Sequence, residues 1–257
     1  MNVKRFLFVV VAAIGAITVF SQAKPDSAQL EKLRRESGVD PTRVQSRAGY
    51  TFLVFDRGGP AGQVVNRLSF NAAVNRWTMG MKYEVITQTT GVPGSGFESG
   101  MGDIRFSVLN AFWVSGKHAV AGSVEFLMPT GKVNFGSQYF SATPALTYSI
   151  TLNPSLFLAV QPQYTFAVMK DPAFPELSIL TVRTFLAKFT PKGFFFVVEP
   201  RPIIDFRKNQ IELIISPIMG KALGAGFNLV GLLEFPTKSS TREGRGVLYQ
   251  FGFNKNF

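Results

Sequence analysis

Between Phe140 and Leu152 every second residue is apolar or aromatic. Phe140, Ala142, Pro144, Leu146, Tyr148, Ile150 and Leu152 alternate with Ser141, Thr143, Ala145, Thr147, Ser149 and Thr151. A period of two puts the two sets on opposite faces of a strand; a helix needs apolar residues three and four apart and would bury these hydroxyls. Residues 155–168 repeat the pattern, with Leu156, Leu158, Val160, Pro162, Tyr164, Phe166 and Val168 on one face. A soluble strand has ~5–6 residues, whereas a tilted strand crossing a bilayer needs ~9–11. Both segments run past that length. About twelve segments share the pattern, centred on 50–56, 66–74, 77–89, 103–114, 118–128, 139–152, 155–168, 177–188, 194–206, 210–219, 226–235 and 246–257.

The links between them sort by length. Asn75-Arg76, Ser115-Gly116-Lys117, Asn153-Pro154 and Thr190-Pro191-Lys192-Gly193 are tight turns. Thr90 to Gly102, Pro129 to Gln138 and Pro236 to Arg245 are longer and rich in Gly, Ser and Lys. Alternating short and long links are expected of an outer-membrane barrel with periplasmic turns and external loops. The fold class is therefore all-β: an antiparallel transmembrane β-barrel of about twelve strands, with ten as the alternative count. Pro144, Pro162, Pro200, Pro202 and Pro217 stand against it. Each removes a ladder donor, and a closed barrel has no edge to put them on, so bulges must absorb them.

The N-terminus supplies an address. Residues 1–23 read as a signal peptide: Lys4 and Arg5, an uncharged apolar run from Phe6 to Phe20, then Ser21-Gln22-Ala23 before the cut. The formal charge of +11 becomes +9 once those two bases leave. That excess would suit nucleic acid in the cytosol, but export to a Gram-negative-type envelope argues against such a partner. The expected partners are outer-membrane lipids and lipopolysaccharide, the barrel-assembly machinery and a small-molecule solute.

Residues 24–47 form a polar periplasmic lead-in, and residues 48–257 the barrel. Pro25-Asp26-Ser27 offers an N-cap and Gly38 a stop for a short helix. Its apolar side is only Leu30 and Leu33, which points to a solvated helix. The alternative is a partial plug in the barrel mouth.

The last strand carries Val247, Tyr249, Phe251, Phe253 and Phe257 on one face, with Phe257 the final residue. This resembles the C-terminal assembly signature of bacterial outer-membrane barrels; Lys255 breaks the alternation.

With the apolar face in lipid, the other face gives the lumen. It holds Arg67, Lys82, Glu84, Arg105, Glu125, Arg183, Glu199, Arg201, Asp205, Glu212 and Glu234, five bases and six acids. Lys or Arg facing hydrocarbon at mid-membrane would cost ~2–4 kcal/mol. These residues either pair across a narrow lumen and close it or line a polar passage. Leu53 and Phe157, also inward, would serve an apolar solute or simple packing.

Ser99-Gly100-Met101-Gly102-Asp103-Ile104-Arg105-Phe106 opens one strand. About twenty residues on, Glu125-Phe126-Leu127-Met128-Pro129-Thr130-Gly131-Lys132 ends a hairpin. This pair resembles the outer-membrane transporters grouped with meta-pathway phenol degradation, over about Tyr83 to Phe257. Lys132 stands where an acid is more usual in that family. The resemblance implies uptake of small, often aromatic or apolar, compounds. Physically, Gly100 and Gly102 allow unusual backbone angles, Asp103 can accept from nearby amides, and Pro129, Thr130 and Gly131 form a turn.

Chemistry is scarce. There is no Cys and a single His, His118, beside a tight turn. Gly-x-Ser-x-Gly is absent, and Gly94-Ser95-Gly96 is no nucleophile elbow. No cofactor or metal is expected, and no catalytic residue. The reading is a passive outer-membrane channel for small neutral, amphipathic or aromatic solutes. A closed structural or adhesive barrel is the alternative, and a lipid-modifying enzyme the lesser one.

Overall fold

A computed structural model of the chain describes residues 27–56, 62–89, 96–170, 172, 174–238 and 246–257. The expected signal peptide lies outside the described residues, as do Pro25-Asp26 and all or part of four links. Helix α1 (Ser27–Ser37) precedes thirteen strand segments. These are β1 (Arg47–Asp56), β2 (Gly62–Val74), β3 (Trp77–Thr89), β4 (Phe97–Met101), β5 (Ile104–Ser115), β6 (His118–Met128) and β7 (Tyr139–Asn153), followed by β8 (Leu156–Lys170), β9 (Ser178–Phe189), β10 (Phe194–Asp205), β11 (Gln210–Gly224), β12 (Phe227–Lys238) and β13 (Leu248–Asn256).

Each strand pairs antiparallel with its neighbours, and β1 closes the sheet on β13 from Arg47↔Asn256 to Phe55↔Leu248. The thirteen segments fill twelve positions. β4 and β5 lie end to end along β3, Phe97 to Met101 beside Thr89 to Val85 and Arg105 to Asn110 beside Lys82 to Trp77. The break between them is Gly102-Asp103. A closed barrel has no open edge, so every stave finds two partners.

The tight turns gather at one end. Asn75 takes φ 55° and Gly116 φ 55°, the left-handed geometry that two-residue hairpins require. The long links gather at the other end, joined there by the tight link 206–209 after β10. β12 extends through Pro236 to Lys238, so the link expected from Pro236 begins later.

The prolines are absorbed within the ladder. The β9–β10 pairing skips from Val198↔Leu186 to Ile203↔Thr181 around Pro200 and Pro202, while β10–β11 runs unbroken through both. β11–β12 skips the rungs at Ser216 and Pro217, and a register shift accommodates Pro236.

Large apolar residues cover the outside. Phe52, Leu68, Phe70, Met81, Leu146 and Phe251 are all exposed, the surface a barrel turns to hydrocarbon. Two apolar clusters lie inside instead. Near the short turns, Leu30 and Leu33 of α1 pack on Phe157, Phe185, Phe189 and Phe195. Near the long links, Leu53, Val65, Ile86 and Leu248 pack with Phe135 from the link after β6. Leu53 and Phe157 are thus packing residues.

Candidate functional site

The lumen is built in three layers, and α1 forms the first. The helix does not stand in solvent. Leu30 is fully buried and Leu33 nearly so, worth about 1.5–3 kcal/mol each. Two leucines are enough because four phenylalanines of the barrel wall meet them. Arg34 lies 4.4 Å over the Phe157 ring, donates to Asp40 at 2.8 Å and reaches Thr151 of β7. Asp40 also accepts from the Thr42 amide and hydroxyl at 3.0 and 2.7 Å, and Thr42 meets Ser149 at 3.1 Å. The carbonyl of Glu36, left open at the helix end, accepts from Asn228 at 2.9 Å and Asn256 at 2.6 Å. The chain from 27 to 46 is therefore a plug held by both packing and hydrogen bonds.

The second layer is ionic. Arg67 pairs with Glu84 at 2.6 Å. Arg105 bridges Glu84 at 3.9 Å and Glu125 at 3.2 Å, and Lys82 meets Glu125 at 2.6 Å. This network crosses β2, β3, β5 and β6. A second one crosses β9, β10 and β12: Arg183–Glu199 at 2.7 Å, Arg201–Glu199 at 2.9 Å and Arg201–Glu234 at 2.9 Å. Glu199 is fully buried, which two guanidiniums make tolerable. Asp205 stands apart, accepting from the amides of Arg207 and Lys208 at 3.1 Å and capping the link after β10. Glu212 is buried on β11.

The third layer is the knot around Asp103. Its Oδ1 accepts from the Gly131 amide at 3.0 Å and its Oδ2 from Ser137 at 2.6 Å, while Thr130 Oγ1 accepts from Ile104 at 3.0 Å. These bonds fold the link after Pro129 into the mouth and aim Phe135 at the lumen. The glycines serve close approach, not unusual backbone angles: Gly100, Gly102 and Gly131 have no positive φ. A Cβ on Gly100 would stand 2.3 Å from the Phe135 ring, on Gly102 2.9 Å from Ile86, and on Gly131 2.9 Å from Gly136.

Between the layers is a cavity of about 500 Å³. Arg35, Arg43, Arg47, Lys82, Arg105 and Arg183 line it, against Asp40 and Glu125. Near-neutrality holds for the strands alone; the plug segment adds the extra bases. Arg47 donates to the neutral Asn256 at 2.7 Å, and neither it nor Arg35 has an ion-pair partner among the described residues.

The sequence of a family described as "Putative MetA-pathway of phenol degradation" matches residues 24–189. The chain belongs to that family. The match takes in the plug as well as the Asp103 knot, so it begins well before Tyr83. No curated protein matches the chain in sequence. Among solved structures, the similarity is one of fold. An outer membrane channel from Pseudomonas putida F1 superposes with a TM-score of 0.65 at 10% identity, over 83% of this chain and 96% of that one. The KdgM porin gives 0.60 at 8% identity, over 82% and 99%. The NanC porin gives 0.59 at 7%, over 82% and 98%.

His118 faces outward near the short turns, between Trp113 and Tyr148, with Nδ1 2.7 Å from the Tyr148 hydroxyl. Tyr249, Phe251 and Phe253 are exposed on the outer face of β13. The Phe257 amide donates to Ser46 at 3.1 Å, just below the β1–β13 seam.

The residues that sequence reasoning missed are Phe135, Asn228, Asn256 and the arginines of the plug. Phe135 left one signal, a large apolar residue among Asn, Gly, Ser and Lys. The asparagines left none, since their role depends on where α1 lodges.

Proposed function

We propose that the protein is an outer-membrane conduit for small amphipathic or aromatic solutes, held closed by its N-terminal plug and by the Phe135 link. The cavity inside the barrel is the observation that carries this reading. At about 500 Å³ it is of the size that small-molecule sites occupy. Its two closures are a helix and a link, neither of them a stave, so they can move without opening the ladder. Short turns and both ends of the barrel chain face the periplasm in this reading, after removal of residues 1–23. The lumen carboxylates and bases set the inner surface, and Phe257 serves recognition by the assembly machinery.

A closed structural barrel is the competing reading, favoured by the packing of Leu30 on Phe157 and Phe195. Swelling of liposomes containing the refolded protein separates the two. A conduit admits a small neutral solute such as glycine or an aromatic one such as phenol derivatives faster than protein-free liposomes do. A structural barrel leaves the swelling rate at that of bare lipid.

A further inference from the structure

One rung of the outer wall crosses six strands: Phe52 of β1, Phe251 of β13, Gly231 of β12, Met219 of β11, Phe196 of β10 and Lys188 of β9 are successive cross-strand partners. Phe52, Phe251, Met219 and Phe196 are exposed, so this rung is on the lipid face. Gly231 interrupts it. The two ordinary reasons for a glycine in a strand, a positive φ and a close approach, are both missing. Its φ is not positive, and a Cβ there would meet only the Met219 carbonyl oxygen, at 3.8 Å. Gly231 lies on the floor of a furrow of about 750 Å³ with almost wholly apolar walls.

The furrow has a charged end. Lys188 and Thr190 line it on the side of the short turns. One rung further, Lys221 lies 4.0 Å over the Phe194 ring, and two rungs further Lys255 lies 4.2 Å over Phe227. The short turns contain Arg76, Lys117 and Lys192 and no Asp or Glu. Lysines on a lipid-facing wall extend their ammonium groups toward the interface, where the complementary groups are anionic phosphates.

We infer that this furrow is a binding site for a single anionic glycerophospholipid, one acyl chain over Gly231 and the headgroup phosphate at Lys188 and Lys221. The bases lie at the end with the short turns, which in the proposed topology meets the phospholipid leaflet and not lipopolysaccharide. This site lies outside the lumen and stands or falls apart from the conduit.

Native mass spectrometry of the intact barrel tests it, with phosphatidylglycerol and phosphatidylcholine offered in equal amounts. The barrel should retain one phosphatidylglycerol in preference to phosphatidylcholine, and Lys188→Gln with Lys221→Gln should cut that preference roughly tenfold. Gly231→Leu should lower retention of both lipids by filling the furrow. Should that variant not fold, judged by heat-modifiable migration, the lysine pair decides alone. Equal retention of the two lipids, or a preference untouched by the lysine pair, overturns the site. So does displacement of phosphatidylglycerol by a neutral apolar solute such as toluene, which would give the furrow to a different occupant.

Discussion

Asn256 of β13 donates its side-chain amide to the Glu36 carbonyl oxygen at 2.6 Å, so the strand that closes the barrel also holds the end of the helix that fills it. Closure of the wall and closure of the lumen share a residue. The same side chain accepts from Arg47, the first residue of β1, at 2.7 Å. A plug tied to the seam in this way depends on the barrel being complete.

The knot at the opposite mouth depends on one carboxylate. Asp103→Ala removes the acceptor for the Gly131 and Ser137 amides, each such bond to a charged group being worth about 1.5–3 kcal/mol. The link should loosen while the staves persist. Trypsin should then cut after Lys132 in the folded protein faster than in the wild type, with no change in heat-modifiable migration. An unchanged cutting rate would mean that Asp103 does not hold this link.

Arg201 joins two carboxylates, Glu199 and Glu234, at 2.9 Å each. Arg201→Ala leaves Glu199 with Arg183 and deprives Glu234 of its ion pair. A cost toward the lower end of the ~3–5 kcal/mol for breaking a buried pair is expected, read as a lower urea midpoint for unfolding from lipid vesicles. Arg201→Lys should recover part of it. A midpoint unchanged in Arg201→Ala would place this side chain outside the network.

Topology is open to direct labelling, since the chain has no cysteine. Lys208→Cys lies in the link after β10 and Lys117→Cys in a short turn. A membrane-impermeant maleimide added to intact cells should label the first and spare the second. The reverse pattern would invert the barrel.

Phe257 places its amide on Ser46, beside the seam between β1 and β13. Its ring is largely exposed, so deleting it costs little packing. Phe257→Ser should nevertheless lower the folded fraction in the outer membrane, because the last strand is what the assembly machinery is proposed to read. Equal folded fractions would make the aromatic end incidental.

How much of this was legible in sequence follows from the range of the interactions. The period of two is local, and it located the staves to within a few residues, β3 and β6 at their observed ends. The Asp103 motif was visible because Asp103 and Gly131 flank one hairpin, whereas Ser137 joins them from beyond it. Pro200 and Pro202 weakened the reading of β10, whereas the structure needs an interrupted ladder on only one side of that strand. The plug was not legible. Leu30 and Leu33 look too few to anchor a helix until Phe157, Phe185, Phe189 and Phe195 converge from three strands, a contact more than a hundred residues away in sequence. For the same reason the inner charge looked balanced, Arg35 and Arg43 arriving in the lumen only with the plug.

Single-channel conductance in planar bilayers, comparing wild type with Leu30→Asp/Leu33→Asp, tests the central claim most directly. The double substitution removes burial worth about 1.5–3 kcal/mol per leucine and puts two carboxylates where α1 meets the phenylalanines, while every stave is left as it was. A conduit closed by its plug should show small, infrequent openings in the wild type and larger, longer ones in the variant. Anion preference should weaken as Arg35 and Arg43 leave the lumen, Arg47 staying on β1. A folded variant that conducts no more than the wild type would contradict the account, leaving a barrel closed by its own walls.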